Sequence, residues 1–69
     1  MEECYKLLVT TDNNGVKKSM AVMYQLCAEC LVAVEEDFER WKKEPKVVEL
    51  HLFRIDYRGL NELRRWFRK

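Results

Sequence analysis

Sixty-nine residues carry 13 Lys+Arg, 12 Asp+Glu and one His, a formal net charge of +1, with 48% hydrophobic and 36% charged side chains. That balance excludes a disordered, fibrous or membrane-embedded chain and describes one small domain over residues 1–69. It also excludes a globally basic nucleic-acid binder, and a single His leaves little from which to assemble a multi-residue catalytic centre or a metal enzyme.

In chain order, the start Met1-Glu2-Glu3 and the shortness of every apolar run give no signal sequence or bilayer span. An intracellular, cytoplasmic protein without a membrane partner is expected. Cys4, Cys27 and Cys30 are an odd number of thiols and favour reduced cysteines over a disulfide framework. Cys4 to Thr10 reads as a strand with Tyr5, Leu7 and Val9 on one face and Cys4, Lys6, Leu8 and Thr10 on the other. Thr11-Asp-Asn-Asn-Gly15 is a turn by composition.

From Val16 to Lys43 the positions Val16, Met20, Met23, Tyr24, Cys27, Leu31, Val34, Phe38 and Trp41 step by three and four. This spacing predicts one long amphipathic helix, ended by Pro45. The alternative is a hairpin in which Val16 to Met20 form a strand after the Asn-Asn-Gly turn. Val47 to Ile55 reads as a strand with Val48, Leu50 and Leu52 toward the helix and Val47, Glu49, His51, Phe53 and Ile55 away from it. Asp56-Tyr57-Arg58-Gly59 fits a turn, or Asp56 caps a final helix from Leu60 to Lys69 whose Leu60, Leu63 and Phe67 line one side. The fold class expected is α/β (α+β), a small two-layer β-α-β-α domain with one long helix packed on a short sheet.

Strand, helix and strand in that order normally make a right-handed parallel unit, and two parallel strands alone are not stable in water. A core of this size supplies roughly 3–5 kcal/mol. The strand edges and the half-apolar second sheet face therefore need a cover: the final helix, a second copy in a homodimer, or a different protein.

Cys27-Ala-Glu-Cys30 has the spacing of zinc knuckles and redox dithiols. A redox pair draws on a helix N-terminus, whereas the predicted helix places this pair near its middle, so both thiols read as small core side chains. A zinc site from Cys4, Cys27, Cys30 and His51 would need three elements to converge, so no metal and no cofactor are expected. Thr10 through Ser19 reads as a solvated turn with ordinary helix capping or, as the alternative, an anion site with Lys17 and Lys18 at the predicted helix N-terminus. It resembles the tail of a phosphate-binding loop but lacks the first Gly, and Val16 separates Gly15 from Lys17. Leu7-Leu-Val-Thr-Thr-Asp12 and the helix after it resemble the first strand and helix of universal stress proteins. That resemblance implies a nucleotide held near Asp12, over less than half the chain. The four-element length is similar to that of small tautomerases, which require Pro after the initiating Met, where Glu2 stands here.

Residues 1–53 hold 7 basic and 10 acidic side chains, net −3, and residues 54–69 hold 6 basic and 2 acidic, net +4. An anionic partner would be felt at the C-terminal end, where Arg54, Arg58, Arg64, Arg65, Arg68 and Lys69 interleave with Tyr57, Trp66 and Phe67. Exposed Trp beside Arg is equally the composition of a protein-binding hot spot. Phe38 and Trp41 among Glu35, Glu36, Asp37 and Glu39 suit docking against a basic surface. The sequence therefore points to a non-enzymatic interaction module, binding a protein or itself through Arg58, Arg64, Arg65, Trp66, Arg68 and Trp41. Its size suits a phage or mobile-element inhibitor or regulator. A nucleic-acid-binding regulator using the basic segment is the second reading, and phosphate or nucleotide binding at Lys17/Lys18 the third.

Overall fold

Two-residue turns decide the topology. The computed structural model describes residues 4–69, and its order is β1 (Cys4–Asn13), β2 (Val16–Gln25), α1 (Ala28–Lys42), β3 (Val47–Asp56) and β4 (Gly59–Phe67). Between β1 and β2, Asn14 and Gly15 hold φ of 55° and 85°. Both are left-handed, as a type I′ hairpin turn requires, and Asn-Gly is the pair that adopts it at least cost. The Gly15 N–H also donates to Asp12 Oδ1 at 2.9 Å. Asp12 thereby belongs to the turn.

The long helix expected from Val16 to Lys43 is corrected: residues 16–25 form β2, and only Ala28–Lys42 is helical. Val16, Met20 and Tyr24 lie four apart, a spacing that also keeps them on one face of a strand, so the pattern alone satisfies both periods. The Asn-Gly turn and ten consecutive pairs with β1, from Cys4↔Gln25 to Asn13↔Val16, select the strand. The hairpin alternative was the right direction, and it runs five residues beyond Met20.

The parallel unit is corrected for the same reason. Because β2 returns the chain to the start of β1, the helix carries it forward again and β3 must then run back. β1 and β3 pair antiparallel, and the sheet order is β2-β1-β3-β4 with every pair antiparallel. The final helix is likewise a strand, β4, turned at Asp56-Tyr57-Arg58-Gly59 as that sequence suggested. Its Leu60, Leu63 and Phe67 are 56%, 47% and 51% exposed instead of lining a helix core. The result is a mixed α+β domain: a four-stranded antiparallel sheet with one helix.

That helix covers one face. Val34 and Phe38 pack with Tyr5, Leu7 and Val9 of β1 and Val47, Leu50 and Leu52 of β3, all buried, with Leu31, Trp41, Val22, Tyr24, Leu26 and Trp66 partly buried around them. The Leu31, Val34, Phe38 and Trp41 part of the predicted stripe faces inward as expected. On β3 one residue changes places. The register slips between Thr10↔Glu49 and Thr11↔Val47, so Val48 is the extra residue of a bulge and Val47 turns into the core in its stead.

Both helix ends are tied down. Cys27 is the N-cap and its Sγ lies 3.2 Å from the Cys30 N–H, while Leu26 and Leu31 occupy the flanking N′ and N4 positions of a hydrophobic staple. At the other end Arg68 donates to the carbonyls of Lys42, Glu44 and Val47 at 3.0, 2.8 and 2.8 Å. Those are carbonyls at and beyond the helix end, where a cation is favoured.

Candidate functional site

A ten-residue strand spans roughly 33 Å and a 15-residue helix about 22 Å, so one helix cannot cover even one face of this sheet completely, and it covers nothing of the other. Strand alternation and the observed register assign that other face. It presents Lys6 and Leu8 from β1, Ala21 and Met23 from β2, His51 and Phe53 from β3, and Arg65 and Phe67 from β4. Met23 is 56% exposed. This open face is the candidate site.

Its centre is an aromatic row. The His51 ring stacks on Phe53 with centroids 5.9 Å apart and meets Phe67 edge-on at 5.5 Å. His51 Nδ1 lies 2.9 Å from Glu62 Oε1 and Nε2 lies 3.0 Å from Glu49 Oε1. A neutral imidazole has one N–H and can donate to only one of these carboxylates; the imidazolium donates to both. Burial by itself would push the His51 pKa down, but the ring's hydrogen bonds to the Glu62 and Glu49 carboxylates, with their charges, outweigh it and raise the pKa above the ordinary histidine value. Nearby, the hydroxyls of Thr10 and Ser19 share a hydrogen bond at 2.9 Å.

Charge on this face balances. Lys6, Lys17 and Arg65 stand against Asp12, Glu49 and Glu62. Several basic side chains of the last sixteen residues turn back onto the molecule. Arg64 pairs with Glu39 at 3.1 Å and lies 4.4 Å over the Phe38 ring. Arg68 holds the helix end and covers Trp66 at 5.0 Å. Arg58 donates its backbone N–H to Asp56 Oδ1 at 2.8 Å, with its guanidinium 3.5 Å from Oδ2, and Arg54 lies 3.8 Å from the same oxygen. That N–H, helped by the charges of Arg58 and Arg54, holds the Asp56 carboxyl below the usual carboxylate range. Hydrogen bonds from Lys42 and Arg64 do the same for Glu39.

The residues singled out in the sequence are therefore dispersed. Arg64 and Trp66 lie on the helix side of β4, opposite Leu52 and Leu50, while Arg65 is on the open face opposite His51. Trp41 packs against the core, and Arg58 sits in the β3–β4 turn. Lys17 and Lys18 alternate along edge strand β2, opposite Asp12 and Thr11. The helix N-terminus on which an anion site there depended lies instead at Cys27. His51 and Phe53 do lie on the second strand face that the sequence marked as needing a cover, with His51 weighed there only as a zinc ligand, whereas Met23 was assigned to a helix stripe and Phe67 to a helix core, because β2 and β4 were not read as strands.

Two further expectations change. Cys27 and Cys30 are joined as a disulfide in place of two reduced core thiols, at the start of the helix and not its middle; Cys4 is free. Among the described residues no three His, Cys, Asp or Glu side chains gather where they would hold a metal, and no helix is long and apolar enough to cross a membrane. On the helix side, the Tyr24 hydroxyl donates to Asp37, whose other oxygen accepts from Arg40. Burial, followed by that bond to Asp37, pushes the Tyr24 pKa up to about 12. Comparison with protein families, with curated proteins and with solved structures finds no match to this chain.

Proposed function

We propose that this chain is a non-enzymatic interaction module that binds another protein through the open face of its sheet, as an inhibitor or regulator of that partner. The observation that carries the reading is the one-sided cover: a four-stranded sheet with a helix on one face and Met23, Leu60 and Phe67 each more than half exposed on the other. An apolar row rimmed by charges of both signs matches the make-up of protein-binding surfaces, with an aromatic centre and a polar rim. Edge strands β2 and β4 add unpaired backbone groups along which a partner strand can pair.

Phe53, Phe67 and Arg65 on a four-stranded face also suit base stacking, which keeps nucleic acid as the second reading. It is the weaker one, because a phosphate chain needs surplus positive charge and this face has none.

The test is capture of the cellular partner by tagged chain, with the Met23→Glu/Phe67→Glu double variant beside a control charge on the exposed outer side of the helix, Val32→Glu. Loss of the captured protein in the open-face variant alone supports the reading; equal capture by all three overturns it. Sedimentation over a concentration series separates the occupants. Self-association abolished by the double variant would give the face to a second copy, and salt-sensitive RNA or DNA binding abolished by it would give the face to nucleic acid.

A further inference from the structure

We propose that Cys27 and Cys30 form a redox-active pair that exchanges electrons with low-molecular-weight disulfides, Cys27 being the attacking thiol and Cys30 the resolving one. The argument begins with the helix start. Ser, Thr, Asp and Asn are the side chains that cap a helix well, yet the N-cap is Cys27, in extended conformation at φ −149° and ψ 162°. A neutral thiol accepts hydrogen bonds weakly. In the disulfide the Cys30 nitrogen lies 3.2 Å from the Cys27 sulfur, and on reduction a thiolate at that position keeps this donor and the positive end of the macrodipole beside it. The position thus favours the nucleophilic form of Cys27 in particular.

A second, independent observation is the placement of its partner. Cys30 is in the first turn, its Cα 5.2 Å from that of Cys27, within the span a disulfide bridges, and the two sulfurs are bonded. Both residues are half-buried, so a small disulfide reaches them, while Phe38 and Val34 hold the rest of the helix in place. Glu29, between them, is the one charge in the first turn that opposes thiolate formation. It tempers the effect without removing it.

The exchange balances as follows. In the dithiol form the Cys27 thiolate attacks one sulfur of R–S–S–R, forming a mixed disulfide and expelling one R–S⁻, which takes up a proton. Cys30, losing its proton, then attacks the Cys27 sulfur, forming the Cys27–Cys30 bond and releasing the second R–S⁻. The protein gives up two electrons and two protons, and one disulfide becomes two thiols. Excess thiol drives the reverse. This activity is separate from the open-face binding and stands or falls without it.

The magnitude is modest and measurable. The helix start raises the thiolate fraction at pH 7, and the weaker nucleophilicity of a more acidic thiol takes back part of that, for a net gain of about threefold. The experiment uses full-length chain in a Cys4→Ser background, reduced, then mixed with oxidised glutathione and followed by mass spectrometry. With Cys30→Ser, the Cys27–glutathione adduct is expected to form about threefold faster in the folded protein than in urea, and faster than the Cys30 adduct of the Cys27→Ser variant. With both cysteines present the adduct is transient and the intramolecular disulfide accumulates. Equal rates folded and unfolded, equal rates at the two cysteines, or a stable adduct with both cysteines present would each overturn the proposal. Cys27→Ser places a good N-cap at the helix start and Cys30→Ser leaves the Cys27 N-cap in place, so both single variants retain the helix start, which circular dichroism verifies.

Discussion

His51 lies between the carboxylates of Glu49 and Glu62, and the sign of its effect on stability follows from that. Its folded-state pKa is raised, so its contribution is complete below the ordinary histidine value near 6.5 and is lost as pH climbs through the raised value. The melting temperature of wild type relative to His51→Gln is therefore expected to be highest near pH 6 and to decline toward pH 8. A difference that stays constant over that range would show that folding leaves the His51 pKa unshifted. Arg68 acts by hydrogen bonds to the carbonyls of Lys42, Glu44 and Val47, at and beyond the helix end, and a point charge on a flexible stem does not reproduce its fork. Arg68→Ala is expected to lower stability by about 1–2 kcal/mol in urea titration, and Arg68→Lys to recover less than half of it. These two residues also show what was hidden in the sequence. Arg68 was read there as part of a binding surface, because nothing in a run of basic residues says that one of them reaches back over twenty positions.

At the scale of elements, the hairpin turn and the helix core are each held by one residue whose change is readily measured. Gly15 holds φ of 85°, and an L side chain there is strained even though there is open space around it. Gly15→Ala should cost about 1–2 kcal/mol, visible as a lower urea midpoint with an unchanged slope. Phe38 is 1% exposed and carries Arg64 and Lys42 over its ring. Truncation of such a side chain costs about 3–5 kcal/mol, as much as a core of this size supplies. Phe38→Ala is thus expected to leave the chain largely unfolded at 25 °C by circular dichroism, and a cooperative melt in that variant would show a second source of stability. The half of the helix stripe from Leu31 to Trp41 was legible, since three and four alternate there over more than two turns. Its first half was not: Val16, Met20 and Tyr24 fit a strand as well as a helix.

For the whole molecule, the −3 and +4 parts of the chain are folded against one another, with Arg64 on Glu39, while the open face is left neutral. Weak attraction for polyanions follows. Binding to single-stranded RNA at 0.15 M salt is expected to be no tighter than the non-specific range of about 10⁻⁴–10⁻⁶ M, with a shallow salt slope. Tight, steeply salt-dependent binding would instead move the functional reading to nucleic acid. The proposed partner surface has the opposite origin, being what a single 15-residue helix leaves uncovered on a four-stranded sheet.

The sequence by itself determined β1 and the direction of its faces, the inward faces of Leu50 and Leu52, the end of the helix before Pro45, and the turn at Asp56-Gly59. Each of these rests on contacts within a few residues or on an unambiguous period. Tertiary structure alone decided that residues 16–25 and 59–67 are strands, that the sheet is antiparallel, that Val47 replaces Val48 in the core, and that Cys27 begins a helix. Those outcomes depend on which strand pairs with which. The hairpin partners are hinted at by the turn residues between them, but the pairing of β1 with β3, from Cys4↔Ile55 to Thr11↔Val47, leaves no mark on either segment alone.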